Sequence, residues 1–203
     1  MTAGPAKAAE ARGVRTRHAF FTLALARELR AGGLEADVVH ANNVLAHVAD
    51  THGFVQGLSE ILKPSGVAVI EVPYVRDLIE HVEFDTIYHE HLCYFSVTAL
   101  ERLFARHGLA LQDVRRIPIH GGSLRLFVGK EPKRSASVGQ LLAEEEHTGL
   151  QRASYYRDFS RRVGEVRDQL RELLDEFRRR GLRIAAYGAA AKGTILLNYA
   201  GLD

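Results

Sequence analysis

The chain has 203 residues, 46% hydrophobic and 26% charged, with 27 Lys and Arg against 25 Asp and Glu for a net charge of +2. That is an ordinary globular composition, and the near-neutral balance excludes a dedicated nucleic-acid binder, which concentrates basic charge on one face. No apolar run approaches the ~20 residues of a membrane-spanning helix, and the single cysteine, Cys93, excludes an internal disulfide or a cysteine-built zinc site. The first residues lack the apolar core of a signal peptide, so the expected location is the reducing cytoplasm.

In chain order, residues 3–12 predict a short Ala-rich helix closed by Gly13, and Val14-Arg15-Thr16 a brief strand. Thr22 to Arg30 predicts a second helix, with Leu23, Ala26 and Leu29 on one face and Gly32-Gly33 as its stop. Asp37 to Ala41 is a short apolar strand running into Asn42-Asn43, and residues 52–62 form a helix with Phe54, Leu58, Ile61 and Leu62 inward. Lys63-Pro64-Ser65-Gly66 has turn chemistry. Val67 to Val72 is a nearly continuous β-branched run, the pattern of a strand buried on both faces of a parallel sheet. Ser96 caps a helix reaching Arg106. Strands at 109–117 and 124–128 flank His120-Gly121-Gly122-Ser123, which reads as a hairpin connection.

From Ser135 the character changes. Tyr155, Phe159, Val163, Val166, Leu170, Leu173 and Phe177 recur at steps of three and four, predicting one amphipathic helix to Arg180 about 40 Å long. The arginines from Arg152 to Arg183 alternate with Glu165, Asp168, Glu172, Asp175 and Glu176, the pattern of a solvated face. Arg183 to Tyr187 then predicts a strand, followed by Gly188-Ala-Ala-Ala-Lys192-Gly193 and an apolar helix. Strands alternating with helices give an α/β class. The division falls between residues 1–130 and a second α/β unit beginning at 135–203.

The densest polar cluster runs from Glu83 to Phe95. The 12 residues from Glu83 to Tyr94 hold two histidines, two tyrosines and three carboxylates, each polar head needing a partner if buried. A histidine near neutrality suits proton abstraction, and a tyrosine hydroxyl can donate to a developing oxyanion. A polar loop with its histidines satisfied by backbone is the plainer reading. His89-x-His91 admits a metal pair if the segment is extended, with His47, His120 or Asp85 as further ligands, but no second motif with metal spacing follows. Asn42-Asn43 ends a parallel strand, where open α/β sheets place ligands. Gly188 to Gly193 follows a strand and opens a helix, where backbone amides can meet phosphate, although close packing explains such a turn equally.

Four ordered segments carry a resemblance: His40-Ala-Asn-Asn-Val-Leu-Ala-His47, Glu83-Phe-Asp-Thr-Ile-Tyr-His-Glu-His91 with Tyr94-Phe95-Ser96, Ile117-Pro-Ile-His-Gly-Gly-Ser-Leu-Arg125, and Tyr187-Gly-Ala-Ala-Ala-Lys-Gly193 with Leu196-Leu-Asn-Tyr199. Together they resemble the S-adenosylmethionine-dependent C-methyltransferases of deoxysugar biosynthesis, the nucleotide-sugar 3-C-methyltransferases. The resemblance implies a nucleotide-linked 4-keto-deoxyhexose as substrate, deprotonated beside its ketone and methylated on the resulting enolate. It makes His91 the base, with Tyr88, Glu90 and His47 orienting the sugar or stabilising the enolate oxygen. Asn42, Asn43, Phe20 and Phe21 match positions lining the methyl-donor pocket, and His120, Gly121, Lys192 and Asn198 fall on the nucleotide-sugar side, with Lys192 near its phosphates.

The implied fold is a class I methyltransferase sheet of order 3-2-1-4-5-7-6, present here as an incomplete Rossmann-like sheet, then a long helix and the start of a second α/β unit that binds the nucleotide sugar. In that register the chain begins at the helix before strand 3, without strands 1 and 2, their glycine-rich loop, or the family's cysteine-rich zinc module. The expectation is a fragment with an open edge at Val38-Val39, completed by a second copy or a companion chain, or else a catalytically silent binding remnant.

Overall fold

A computed structural model describes residues 3–188 and 190–202. Helix α1 (Ala3–Ala11) is followed by a turn and an irregular segment, and α2 (Leu23–Ala31) opens on Thr22, whose hydroxyl accepts from the Leu25 N–H at 3.2 Å. Strand β1 (Ala36–Asn42) leads through a 3-10 turn at Leu45–His47 to α3 (Thr51–Ile61), capped by Asp50. Strand β2 (Leu62–Pro73), α4 (Val75–Glu80) and a second 3-10 turn at Phe84–Thr86 come next. Then follow α5 (Val97–Ala105), β3 (Ala110–Ile117), β4 (Ser123–Gly129), α6 (Ala136–Thr148), α7 (Ala153–Tyr156), α8 (Phe159–Arg179) and α9 (Ala191–Ala200).

The four strands make one sheet of order β1-β2-β4-β3, with β1 parallel to β2 and β4 antiparallel to both neighbours. This matches the 4-5-7-6 end of the class I order, so the α/β expectation holds. The core lies on one face of β2 and β4; Val67, Val69 and Phe127 on the other face are only partly buried, so the expected burial of residues 67–72 on both faces is not met. Ala68, Ile70, Val72, Leu124, Leu126 and Val128 are fully buried among Leu45, Val55, Leu58, Leu100 and Phe104. Helix α6 joins this core through Val138 and Leu141, although no helix is predicted there. Among the described residues, the outer edge of β1 pairs with nothing and Val38 is 61% exposed.

Several expectations need correction. Val14-Arg15-Thr16 is not a strand, because no neighbouring strand completes a ladder there. Arg183 to Tyr187 is also irregular and exposed for the same reason, so a strand of the second α/β unit is not formed. Residues 63–66 do not interrupt β2. The register jumps between Ala36↔Leu62 and Val38↔Val67, so the turn chemistry becomes a bulge inside the strand, a position that tolerates Pro64.

The long helix is shorter than predicted. α8 has 21 residues, about 32 Å, and the chain breaks before it. Tyr156 donates its hydroxyl to the Leu150 carbonyl at 2.8 Å, and Arg162 donates to the Ile79 and Glu80 carbonyls at 2.9 and 2.6 Å. Those last two contacts satisfy orphan carbonyls at the end of α4. The charged face of α8 does carry local ion pairs, such as Arg178–Asp175 and Arg161–Glu165. Among the described residues, no helix is long and apolar enough to cross a membrane.

Candidate active site

Two cavities open where β1 and β2 end, and they share Asn43 and His47. The chain leaves β1 through Asn43, whose N–H donates to the Glu71 carbonyl at 2.9 Å and whose φ is +51°. Asparagine tolerates this left-handed conformation better than most residues. The turn sends Asn43 between the cavities, while Asn42 stays exposed on the strand.

The larger cavity, about 630 Å³, is bounded by Phe20, Phe21 and Thr22 before α2, the segment after β1, and the start of α3. Its wall is mainly apolar. Phe21 meets Phe54 edge-on with ring centroids 5.5 Å apart, while Phe20 is 71% exposed at the rim. Two of its polar side chains are committed to helix caps: Thr22 on α2, and Asp50 on the Gly53 N–H at 2.8 Å.

The smaller cavity, about 190 Å³, is lined by Asn43, His47, Pro73, Thr86, Tyr88, His91, His120 and Lys192. His91 is held at three points. Its Nδ1 lies 2.7 Å from the Thr86 carbonyl, which can only accept, so Nδ1 carries the proton in the neutral ring. Nε2 therefore presents a lone pair and accepts from the Tyr88 hydroxyl at 3.2 Å. The rings of His47 and Tyr88 lie 4.8 and 4.3 Å away, centroid to centroid.

Burial holds the His91 pKa below the ordinary histidine value. Neighbouring His47 and the Lys192 ammonium add to this, against the opposing pull of the Thr86 carbonyl and Glu90. The ring is thus a neutral base near pH 7. Tyr94, whose hydroxyl approaches the Thr86 carbonyl at 3.4 Å, has its own pKa raised by burial.

The opposite wall is the β3–β4 hairpin. His120 has φ +54°, and Gly121 and Gly122 have φ +87° and +147°. A Cβ at Gly121 would strike the Glu83 carboxylate, and one at Gly122 the Asp77 carboxylate. Asp77 is 2% exposed and paired with Arg116, so the loop carrying His120 rests on a fixed base.

The expected site residues therefore separate. His91, Tyr88, His47, Asn43, His120 and Lys192 come together, and Phe20 and Phe21 border the larger cavity. Glu90 is solvent-facing, with 62% of its side chain exposed, and reaches His91 only through charge. Asn198 is exposed and donates to the Thr194 carbonyl of its own helix at 2.8 Å. Gly121 contributes backbone shape, and Ala189 of the Gly188–Gly193 turn lies outside the described residues. The metal pair does not form: Tyr88 to His91 is a turn, not extended, which leaves the His89 side chain 89% exposed while His91 faces inward. Among the described residues, no group of three or more His, Cys, Asp or Glu could hold a metal ion.

The sequence reading missed Thr86 and Pro73. Thr86 acts through its carbonyl, which has no sequence signature. Pro73 ends β2 and could have been found from the rule that placed Asn43 at a strand end.

Residues 4–114 match a family model described as a methyltransferase domain, and residues 118–203 one described as a C-methyltransferase C-terminal domain. C-methyltransferase NovU of Streptomyces niveus is 38% identical over 194 residues, covering 94% of this chain and 46% of that protein. The chain thus spans about half the length of this curated relative. Among solved structures, an O-methyltransferase of neocarzinostatin biosynthesis (NcsB1) in complex with S-adenosylmethionine aligns at 16% identity over 51% of this chain and 36% of that one, TM-score 0.38. A protein solved in work on converting a disulfide bond into a thioacetal group during echinomycin biosynthesis aligns at 20% identity over 70% and 66%, TM-score 0.40.

Proposed function

The chain belongs to the S-adenosylmethionine-dependent C-methyltransferases, and from that premise we propose that it acts on a nucleotide-linked 4-keto-deoxysugar, methylating the carbon beside the ketone after His91 removes its proton. One observation carries the reading. The His91 ring is pinned at Nδ1 by the Thr86 carbonyl, so that Nε2 serves a cavity of about 190 Å³ sharing Asn43 and His47 with a second of about 630 Å³.

The larger cavity suits the methyl donor. Its volume falls within the ~300–1,000 Å³ of ordinary ligand sites, and Phe20, Phe21 and Phe54 offer aromatic surface for the adenine. In this reading Asn43, at the wall between the two cavities, holds the donor's polar end. S-adenosylmethionine, when bound, supplies an electrophilic methyl group on sulfur.

The remaining work falls to the chain. The carbon beside a ketone is acidic because its conjugate base spreads charge onto oxygen, and neutral His91 Nε2 takes that proton. The single lone pair of Nε2 is engaged by the Tyr88 hydroxyl at 3.2 Å, so that hydroxyl turns to a sugar oxygen when the substrate enters and frees Nε2 to take the proton. His47 aligns the sugar ring from the wall between the cavities. The lone thiol, Cys93, suits a reducing cytoplasm.

The test is solvent exchange. In D2O, without methyl donor, the chain should replace the proton beside the ketone of a nucleoside-diphospho-4-keto-6-deoxyhexose by deuterium, read by NMR. His91→Gln should reduce the rate ~100-fold or more, the usual contribution of a positioned base. Exchange at an equal rate in His91→Gln would overturn the assignment.

A further inference from the structure

The small cavity has an unbalanced cation in its wall. Lys192 lies in the first turn of α9, half-buried, with its Nζ 3.5 Å from the His120 carbonyl. That distance is too long for a strong hydrogen bond. Among the described residues the ammonium joins no ion pair within 4.0 Å. An ammonium at a cavity wall without a carboxylate is poised for an anion that arrives or forms inside.

The cavity volume decides which anion. At about 190 Å³ it lies below the ~300 Å³ floor of ordinary ligand pockets and takes one sugar ring, not a nucleotide. The negative charge that develops there is carried by the exocyclic oxygen of the deprotonated ketone. We propose, resting on the deprotonation reading above, that Lys192 is a catalytic residue that donates to this oxygen as His91 takes the proton. This differs from binding the diphosphate. In the step, the C–H bond breaks and its proton joins His91 Nε2. The C–H electron pair becomes the new C=C bond, the C=O π pair moves to oxygen, and Lys192 keeps its proton while hydrogen-bonding that oxygen.

The placement of Lys192 is tied to that of His91. Helix α9 sets Tyr199 against Phe84 with ring centroids 5.0 Å apart, and Arg171 of α8 donates to the Ala200 carbonyl at 3.3 Å. Phe84 starts the same 3-10 turn whose last residue, Thr86, orients His91. One rigid turn therefore positions both the base and the helix that carries the cation. Lys192 also helps to keep the His91 ring neutral, the form the step requires.

The experiment compares wild type, Lys192→Met and Lys192→Arg in the deuterium-exchange assay, using thymidine and uridine diphospho-4-keto-6-deoxyglucose. Calorimetry measures affinity for thymidine and uridine diphosphate without the sugar. Lys192→Met should lower exchange turnover by ~100- to 1,000-fold, the scale for losing an oxyanion donor, and change diphosphate affinity by less than twofold. Its acid limb should move to higher pH, because a positive charge beside His91 is gone. Lys192→Arg should recover part of the rate. Weakened diphosphate binding with unchanged turnover would make Lys192 a phosphate ligand and overturn the proposal, as would no effect on either. Absence of exchange in wild type would remove the deprotonation reading together with the role of Lys192, whereas exchange persisting in Lys192→Met overturns the role of Lys192 alone.

Discussion

Glu145 offers the sharpest test of how the fold is held. It lies in α6, is 0% exposed, and its carboxylate accepts four hydrogen bonds. These come from the Tyr74 hydroxyl at 2.8 Å, the Val97 N–H at 2.6 Å, the Thr98 N–H at 2.9 Å and the Thr98 hydroxyl at 2.6 Å. Val97 and Thr98 are the first two residues of α5, and Ser96 caps the third N–H, that of Ala99, at 3.1 Å. The negative charge thus sits at the positive end of α5 and satisfies donors the helix cannot satisfy itself. Glu145→Ala leaves two buried N–H groups without acceptors, at ~1–3 kcal/mol each, while the two hydroxyls can rotate. Removing a buried carboxylate returns part of its desolvation cost. The net expectation is a loss of ~3–5 kcal/mol, the scale of breaking a buried charge cluster from one side. In urea unfolding followed by circular dichroism, an m-value near ~2 kcal/mol/M would lower the midpoint by ~2 M. Glu145→Gln keeps one acceptor and should lose about half as much. A Glu145→Ala change below ~1 kcal/mol would refute the reasoning, since it would mean water replaces the carboxylate without cost.

Two other outcomes are expected. Gly122→Ala, with φ +147° and the Asp77 carboxylate in the way of a Cβ, should destabilise by ~2 kcal/mol or more. It should also slow exchange by shifting His120; a thermal melt and the exchange assay read both, and a neutral variant would contradict the rigid-base account. His52 Nδ1 and His107 Nε2 share one hydrogen bond of 2.8 Å between α3 and the end of α5. The pKa of His107 is lowered by burial, by His52 and by Arg106. A lowered histidine pKa means the unfolded chain binds the proton first. Stability is therefore full above the ordinary value near 6.5 and declines as pH falls through it. Melting temperature should drop from pH 7 to pH 5, and the drop should shrink in His52→Gln; an identical pH dependence would show that the pair does not contribute.

What could be read from the sequence was local. The caps at Thr22 and Ser96 act three residues away, so the starts of α2 and α5 are visible in the residue order. The alternation of apolar and turn residues around His120 to Ser123 likewise marks the β3–β4 pair, which forms as predicted. Strands without partners fail: Arg183 to Tyr187 has strand composition, but a ladder supplies the structure, and none is present among the described residues.

Long-range contacts were hidden. Glu145 serves donors 47 to 71 residues earlier, and its own helix has a weak apolar pattern, so neither α6 nor its role shows in the sequence. In the site, the resemblance brought out His91, Tyr88, His47 and Lys192. It could not show that the turn at residues 88–91 points Glu90 and His89 outward, or that a backbone carbonyl at Thr86 decides which nitrogen of His91 is basic.

The measurement that tests the central claim most directly is label transfer. The purified chain is incubated with methyl-labelled S-adenosylmethionine and a nucleoside-diphospho-4-keto-6-deoxyhexose, and the sugar is analysed for labelled carbon. The account predicts a methyl group on the carbon beside the ketone, formed by the wild-type chain and reduced at least ~100-fold in His91→Gln. A folded chain that leaves the sugar unlabelled, or a His91→Gln variant that labels it at the wild-type rate, would contradict it.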